Sequence, residues 1–433
     1  MIGFAGLSHL GIVSSIAAAA KGVDVIAYDP DPLLCERLTR GELPVLEPGL
    51  PELLAASRSR LRWTADPALL RGCALISCAA DAPTDGDGRS DLAVIHRLIE
   101  TLAQHAAPGA ALVVLSQVPP GFTRALRASL QATRPGLHVF CQAETLIFGQ
   151  AVERAMQPER FMVGCHDPRA ALPPSYADWL GRFGCPVLPM RYESAELAKI
   201  AVNMFLVSSV CTTNTLAELC EALGAEWSQI RPALHADRRI GPHAYLQPGL
   251  GIAGGNLERD LATVRELAAR HGTEAGIVEA WRVNSVHRSA WVLAALHDQV
   301  LSARPDPAIA VWGLAYKPHT RSTKNSPALN LLDALRPYAV TAHDPQAVLP
   351  EAGWSHVTQA ASALDACRGA DALAILTPWP EFASIAPEAI RERLRGRLIL
   401  DPFGALDGAR CAAAGLRHRR LGAPVDRQEL AAC

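Results

Sequence analysis

MIGFAGLSHLGIVSSIAAAAKGVDVIAYDP, residues 1–30, opens the chain. Its apolar run Met1–Ala5 stops at Gly6, Gly11 follows, and the next residues are small and helix-compatible as far as Ala20. Val23–Tyr28 is apolar again and closes on Asp29. A strand buried on both faces reads as a short continuous apolar run, and two parallel strands need a helical crossover between them. The stretch is therefore one strand–turn–helix–strand unit. Runs of the same kind recur at Ala74–Cys78, Ala111–Leu115 and Phe161–Gly164, separated by longer helical patterns. Such alternation predicts a parallel α/β sheet.

The pattern then changes. From about Ser194 to Gly224 proline is absent and glycine appears only at the end, and a second helical stretch runs from about Asn256 to Ala295. A further α/β segment starts at Ala308–Leu314, with strands expected at Val340–His343, Ala372–Leu376 and Leu398–Leu400. The polar, proline-bearing connector Ser302–Pro307 marks the boundary before it. At ~100–200 residues per domain, 433 residues make about three domains. The expected fold class is α/β: two Rossmann-like, doubly wound parallel-sheet domains at 1–190 and 301–433, joined by a long central helical region at 191–300.

Composition narrows the partners. Apolar residues make up 49% and charged residues 19%, which is globular and excludes a mostly disordered chain. A net charge of -2 supplies no general attraction for nucleic acid or an anionic membrane, so the expected partner is a small molecule held locally. Eleven cysteines are scattered without a CxxC pair or a His/Cys cluster, which points to reduced thiols, a cytoplasmic protein and no metal site. The N-terminus has no basic region, and no apolar run reaches the ~18 residues of a membrane helix.

Gly6-Leu7-Ser8-His9-Leu10-Gly11, with Asp29 closing the next strand, resembles the dinucleotide-binding fingerprint. The first glycine permits the turn, the helix start offers amides such as that of Leu10 to a pyrophosphate, and the acid accepts from the ribose hydroxyls. Asp29 favours NAD over NADP, since a 2′-phosphate meets a carboxylate. Ser8 stands where a second glycine usually lets the backbone approach, and is expected to weaken binding. The plain alternative is a glycine turn with no nucleotide; the surrounding strands and the acid favour NAD. Lys199 and Asn203, four apart on one helix face, are able to stabilise a substrate oxygen. Spacing alone favours a plain surface lysine beside a helix-facing asparagine. Pro248–Gly255 is a glycine-rich loop that Asn256 can cap, with Glu258, Arg259 and Asp260 in the first helical turns. Either a ligand loop or a capped turn fits it.

Read together, these segments resemble the UDP-glucose and GDP-mannose dehydrogenase family from end to end. Gly6–Gly11, Gly41–Leu50, Ser116–Gly121 and the stretch holding Glu144, Gly149, Pro158 and Arg160 match its first half. Glu196, Lys199, Asn203 and Asn214 match its central helix, and Asp237–Gly241 precedes the glycine-rich loop. Gly313–Pro318, Thr320, Ser326–Ala328, Asp344-Pro345, Thr377–Trp379 and Asp401 match its C-terminal part. The resemblance implies an N-terminal NAD domain, a central dimerisation region and a C-terminal nucleotide-sugar domain, with the active site between them. It implies a homodimer and a role in sugar or polysaccharide biosynthesis. It assigns Gly6, Ser8, Leu10, Gly11, Asp29, Gln117 and Lys324 to the cofactor, and Arg239, Gly254, Gly255, Lys317 and Phe148 to the substrate. Lys199, Asn203, Asp260 and Glu144 are its catalytic residues.

Family members oxidise a sugar alcohol twice, through a thioester on a cysteine. Counting forwards from Pro248 and backwards from Asp260 puts Asn256 at that position. An amide is a poor nucleophile and forms no thioester. Gln117, Ile147, Phe148 and Phe403 replace other polar residues of the family's site. The expected activity is thus a single NAD-dependent hydride transfer from a nucleotide sugar or related anion. In it Lys199 and Asn203 polarise the oxygen, Asp260 orients water or relays a proton, and Glu144 is a base. The alternatives are a catalytically inactive binding homologue and a double oxidation through the aldehyde hydrate without covalent capture.

Overall fold

The computed structural model describes residues 1–85, 88–144, 146–349 and 353–424. The chain divides into two compact units, Met1–Val202 and Asn203–Cys433.

Among the described residues the first unit holds eight strands: β1 (Ile2–Ala5), β2 (Val25–Tyr28), β3 (Leu61–Thr64), β4 (Leu75–Cys78), β5 (Ala111–Val114), β6 (His138–Ala143), β7 (Phe161–Cys165) and β8 (Val187–Arg191). Their order in the sheet is β3-β2-β1-β4-β5-β6-β7-β8. Every ladder is parallel except β6–β7, where Cys141 faces Gly164 in an antiparallel pair. Residues of β1, β2, β4 and β5 are buried throughout, because helices cover both faces, and Phe4, Ile12 and Ile16 lie at the centre of this core.

The second unit carries β9 (Ala308–Trp312), β10 (Ala339–His343), β11 (Val357–Gln359), β12 (Ala372–Ile375), β13 (Leu398–Leu400) and β14 (Arg417–Arg419). All five ladders are parallel, in the order β11-β10-β9-β12-β13-β14. Renumbered from one, that is the order of the first six strands of the other sheet. In both, the winding reverses beside the first strand, at β1/β4 and at β9/β12. Open α/β sheets bind ligands outside the carboxyl ends of their strands at this reversal.

All nine strands expected from apolar runs are present. Five were not expected: β3, β6, β8, β11 and β14. β3, β8, β11 and β14 lie at sheet edges, where one side meets solvent and the continuous apolar signal vanishes. The helical stretch expected after Ser194 is the single helix Tyr192–Leu223. Length and average composition would let it cross a membrane. Its polar side chains are used inside the protein: Glu196 accepts from Gly121 N and Thr123 N, Asn214 from Gly249 N at 2.9 Å, and Glu221 from Arg288 at 2.8 Å. The stretch Asn256–Ala295 is three helices, Asn256–His271, Gly276–Ser289 and Trp291–Leu296, the first ended by Gly272 at φ 67°.

Candidate active site

At the end of β1 the chain turns at Gly6, whose φ of 88° is one that glycine adopts without strain. A Cβ there would stand 2.8 Å from the Ala80 side chain, and one at Gly11 would stand 1.8 Å from the Gly6 carbonyl oxygen. The helix His9–Ala20 can approach β1 this closely only because both residues lack a side chain. Asp29, just past β2, accepts from Leu7 N at 2.7 Å and from Asp31 N at 3.0 Å. A carboxylate has about four acceptor positions, so Asp29 retains capacity for ribose hydroxyls.

The second sheet repeats this device and closes it. Gly313 turns after β9 at φ 91°, and Leu314 N donates to Asp344, just past β10, at 2.7 Å. Asp344 also accepts from the amides of Ala315, Gln346 and Ala347 and from the Trp379 indole. Five donors saturate it and it is 6% exposed, so it is an internal brace. Only the first sheet keeps an acid with acceptor capacity beside its glycine turn.

Ser8 is held otherwise than the sequence led us to expect. Its hydroxyl donates to Ala79 O at 3.2 Å and accepts from Asp81 N at 2.9 Å, on the loop after β4. These two bonds hold its side chain against the loop after β4. Asp81 also accepts, at 3.4 Å, from the amide of Leu10. That carboxylate at the helix start went unread in the sequence. Ser116 binds Ala80 O at 2.6 Å and ties the end of β5 to the same loop, with Gln117 half-buried beside it. Gly6, Ser8, Leu10, Gly11, Asp29 and Gln117 thus share the carboxyl edge of one sheet.

Phe148 packs on His9 with ring centroids 4.1 Å apart, and His9 Nε2 lies 2.7 Å from Glu47. Burial pushes the Glu47 carboxyl up, but the His9 bond and the amides of Gly149 and Ala151 outweigh it and leave the group below its ordinary value. Phe148 therefore supports the glycine turn. Glu144 accepts from Gln142 at 3.0 Å and lines a cavity of ≈ 40 Å³ with Arg154 and Arg160. Glu196, raised by burial, caps the helix Phe122–Thr133. Lys199 is half-buried one helical turn before Asn203.

In the second unit Asn203 Nδ2 donates to Asp260, whose other oxygen is 3.3 Å from Arg259 Nε. Asp260 is 0% exposed. Gly254, at φ 85°, has Tyr316 2.9 Å from its absent Cβ, and Gly255 has the Lys324 side chain at 3.5 Å. Gly254 is therefore required by its backbone and by packing, whereas a Cβ at Gly255 would meet Lys324 only at ordinary contact distance. Phe403 lies 3.9 Å from the Cβ position of Gly249, and Lys317 Nζ 5.7 Å from the Tyr316 ring. Asn256 is exposed at the first position of its helix, and Arg239 points outward, clipped to Asp237 at 2.7 Å.

Three family models match in sequence order: NAD binding domain over 1–179, central domain over 193–285 and UDP binding domain over 310–408, all of one family. The chain belongs to the UDP-glucose/GDP-mannose dehydrogenase family. It is an NAD-dependent dehydrogenase acting on a CH–OH group. The UDP-glucose 6-dehydrogenase of Pseudomonas aeruginosa is 29% identical over 439 residues, covering 97% of this chain and 96% of that one. UDP-glucose 6-dehydrogenase TuaD of Bacillus subtilis is 28% identical over 441 residues, covering 98% and 93%. Among solved structures, a UDP-glucose dehydrogenase from Pyrobaculum islandicum aligns with a TM-score of 0.83 at 28% identity, covering 92% of this chain and 93% of that one. A UDP-D-ManNAc dehydrogenase from Pyrococcus horikoshii aligns at 0.84 and 24% identity, covering 98% and 99%, and shares the fold.

The glycine turn fits NAD: its two glycines leave the backbone bare, and Asp29 has acceptor positions to spend. For this dehydrogenase, Asp29→Ala is expected to narrow a preference for NAD over NADP, read by titrating both cofactors. Equal affinity of the unmodified protein for the two would remove Asp29 from the ribose.

Proposed function

We propose that the protein oxidises one CH–OH group of a nucleotide sugar and forms no thioester on the way. Residue 256 carries this reading: an exposed asparagine opens the helix where the family resemblance calls for a cysteine. No described thiol replaces it. Of the ten described cysteines, nine are buried and Cys185 is half-buried. Burial raises every one of these thiols, to about 11 at Cys73, Cys78, Cys211 and Cys411 and to about 12 at Cys141 and Cys367. A thiol so raised is protonated near neutrality and is no nucleophile.

NAD, when bound, supplies the hydride acceptor. Lys199 and Asn203 stabilise the substrate oxygen. Asp260 accepts a hydrogen bond from one Nδ2–H of Asn203 and orients the amide, which leaves the second N–H to donate to that oxygen. Asp260, which accepts from Asn203 and lies beside Arg259, is a positioning residue in this scheme. Glu144, held by Gln142, takes the alcohol proton. Arg239, Gly254, Gly255 and Lys317 belong to the substrate side.

The reading includes three parts, 1–190, 191–300 and 301–433, and a homodimer in the cytoplasm. Phe205 and Leu223 on the long helix are 78% and 76% exposed, an apolar face that a second copy would cover. The free cysteines fit a reducing compartment.

The test is turnover of UDP-glucose and other nucleotide sugars with NAD, following NADH, product mass and intact protein mass. One NADH per substrate, a product lighter by two hydrogens and no adduct on residues 248–260 are expected. Two NADH per substrate, or an acyl adduct, would overturn the proposal. Binding of UDP-glucose without any NADH would identify an inactive binding homologue.

A further inference from the structure

The oxidation above makes no use of Glu258, yet Glu258 is half-buried where the glycine-rich loop meets a segment of the second sheet's domain. Asn325, in the left-handed region at φ 51°, sends its Nδ2 both to Gly254 O, at 3.1 Å, and to the Glu258 carboxylate. Lys324 lays its side chain over Gly255, within 3.5–3.7 Å of the missing Cβ. Its ammonium, 3.7 Å from that Cβ position, is an opposite charge acting on Glu258. Arg259, next on the same helix, turns to Asp260 instead, and Lys317 lies over Tyr316. One cation and one carboxylate therefore sit together at a loop that glycine keeps bare, within the span of the UDP binding domain for Lys324.

We infer that Glu258 is the resting counter-ion of Lys324, displaced when a ligand diphosphate takes that lysine, so that binding is coupled to uptake of a proton. The inference rests on the reading that the protein binds diphosphate-bearing ligands, a chemistry NAD and a nucleotide sugar share.

The direction follows from electrostatics. Burial pushes Glu258 up to about 7, and the Lys324 charge pulls it back from a higher value. When Lys324 turns to a phosphate, Glu258 loses that cation and gains an anionic neighbour, and both changes favour its protonated form. Below pH 7 the carboxyl is already neutral and binding carries no proton. Above pH 7 binding must bring a proton with it, so affinity falls as pH rises, toward a limit of about tenfold per pH unit. UDP-glucose and NAD are diphosphate diesters without an ionisation of their own near neutrality, so the proton is the protein's.

Isothermal titration of the full chain with UDP-glucose and, separately, with NAD tests this, from pH 6 to pH 9 in two buffers of different ionisation enthalpy. For one ligand, uptake approaching one proton near pH 8 and at least a tenfold loss of affinity between pH 7 and pH 9 are expected. The ligand that shows it identifies whose diphosphate Lys324 holds. Glu258→Gln is expected to abolish the uptake and flatten the profile, while Glu258→Asp keeps both. Binding without proton uptake in the unmodified protein, or undiminished uptake in Glu258→Gln, would overturn the inference alone. Failure of both ligands to bind at any pH would overturn the proposed function and this inference with it.

Discussion

Replacing Asp260 by alanine is expected to destabilise the second unit by about 3–5 kcal/mol, the usual cost of removing one partner from a buried charge pair. Asp260 is 0% exposed and Arg259 8% exposed, so little water is at hand to make good the loss. The carboxylate also accepts from Asn203, so the variant leaves a buried amide proton short of a partner. Asp260→Asn keeps shape and an acceptor, and should cost less. Guanidinium unfolding followed by circular dichroism reads the difference. A loss under about 1 kcal/mol would mean that the other contacts of Arg259 and Asn203 hold the site without the carboxylate.

The fold was legible where burial is two-sided, with β6 the exception. β1, β2, β4, β5, β9 and β12 lie inside their sheets and wrote themselves as apolar runs, and the turn at Gly6 needs glycine for steric reasons that any reader of the sequence can anticipate. The edge strands were silent for a physical reason. β14 is Arg-His-Arg and β8 contains Pro189, which an edge tolerates because one side of the strand donates to nothing. The break at Gly272 was missed because apolar periodicity continues past it into the next helix.

The site was legible in part. Gly6, Gly11 and Asp29 carry a spacing with one mechanical meaning, and the structure assembles them at one sheet edge. Lys199, Asn203 and Asp260 were selected by resemblance; the Asn203–Asp260 bond, spanning 57 residues of sequence, has no local signature. Asp81, Glu47 and Glu258 were beyond reach for a related reason. Each is an ordinary acid in sequence, and Glu258 in particular matches the carboxylate commonly found in a first helical turn. What sets it apart is the approach of Lys324 and Asn325 from a segment more than sixty residues away. Conversely, Gly254 looks like part of a ligand loop in sequence, although its left-handed backbone and Tyr316 already require a glycine there.

Lys199→Ala is expected to lower kcat/KM by about a hundredfold or more, since one preorganised donor to a developing oxyanion is worth ~3 kcal/mol. The substitution is compatible with the helix itself. Alanine is the best helix former, and Lys199 is half-buried on a helix of 32 residues whose ends are held by Glu196 and Glu221. Guanidinium unfolding of the variant, measured alongside, tells a loss of stability from a loss of rate. Lys199→Arg keeps the charge but spreads it over a planar fork, so it should recover little of the rate. NADH formation on whichever nucleotide sugar is accepted, with cofactor affinity measured alongside, reads the effect. Unchanged NAD binding with lost turnover puts Lys199 at the oxygen. An active Lys199→Ala protein would remove the lysine from the reaction and leave Asn203, oriented by Asp260, as the only donor this scheme has to offer.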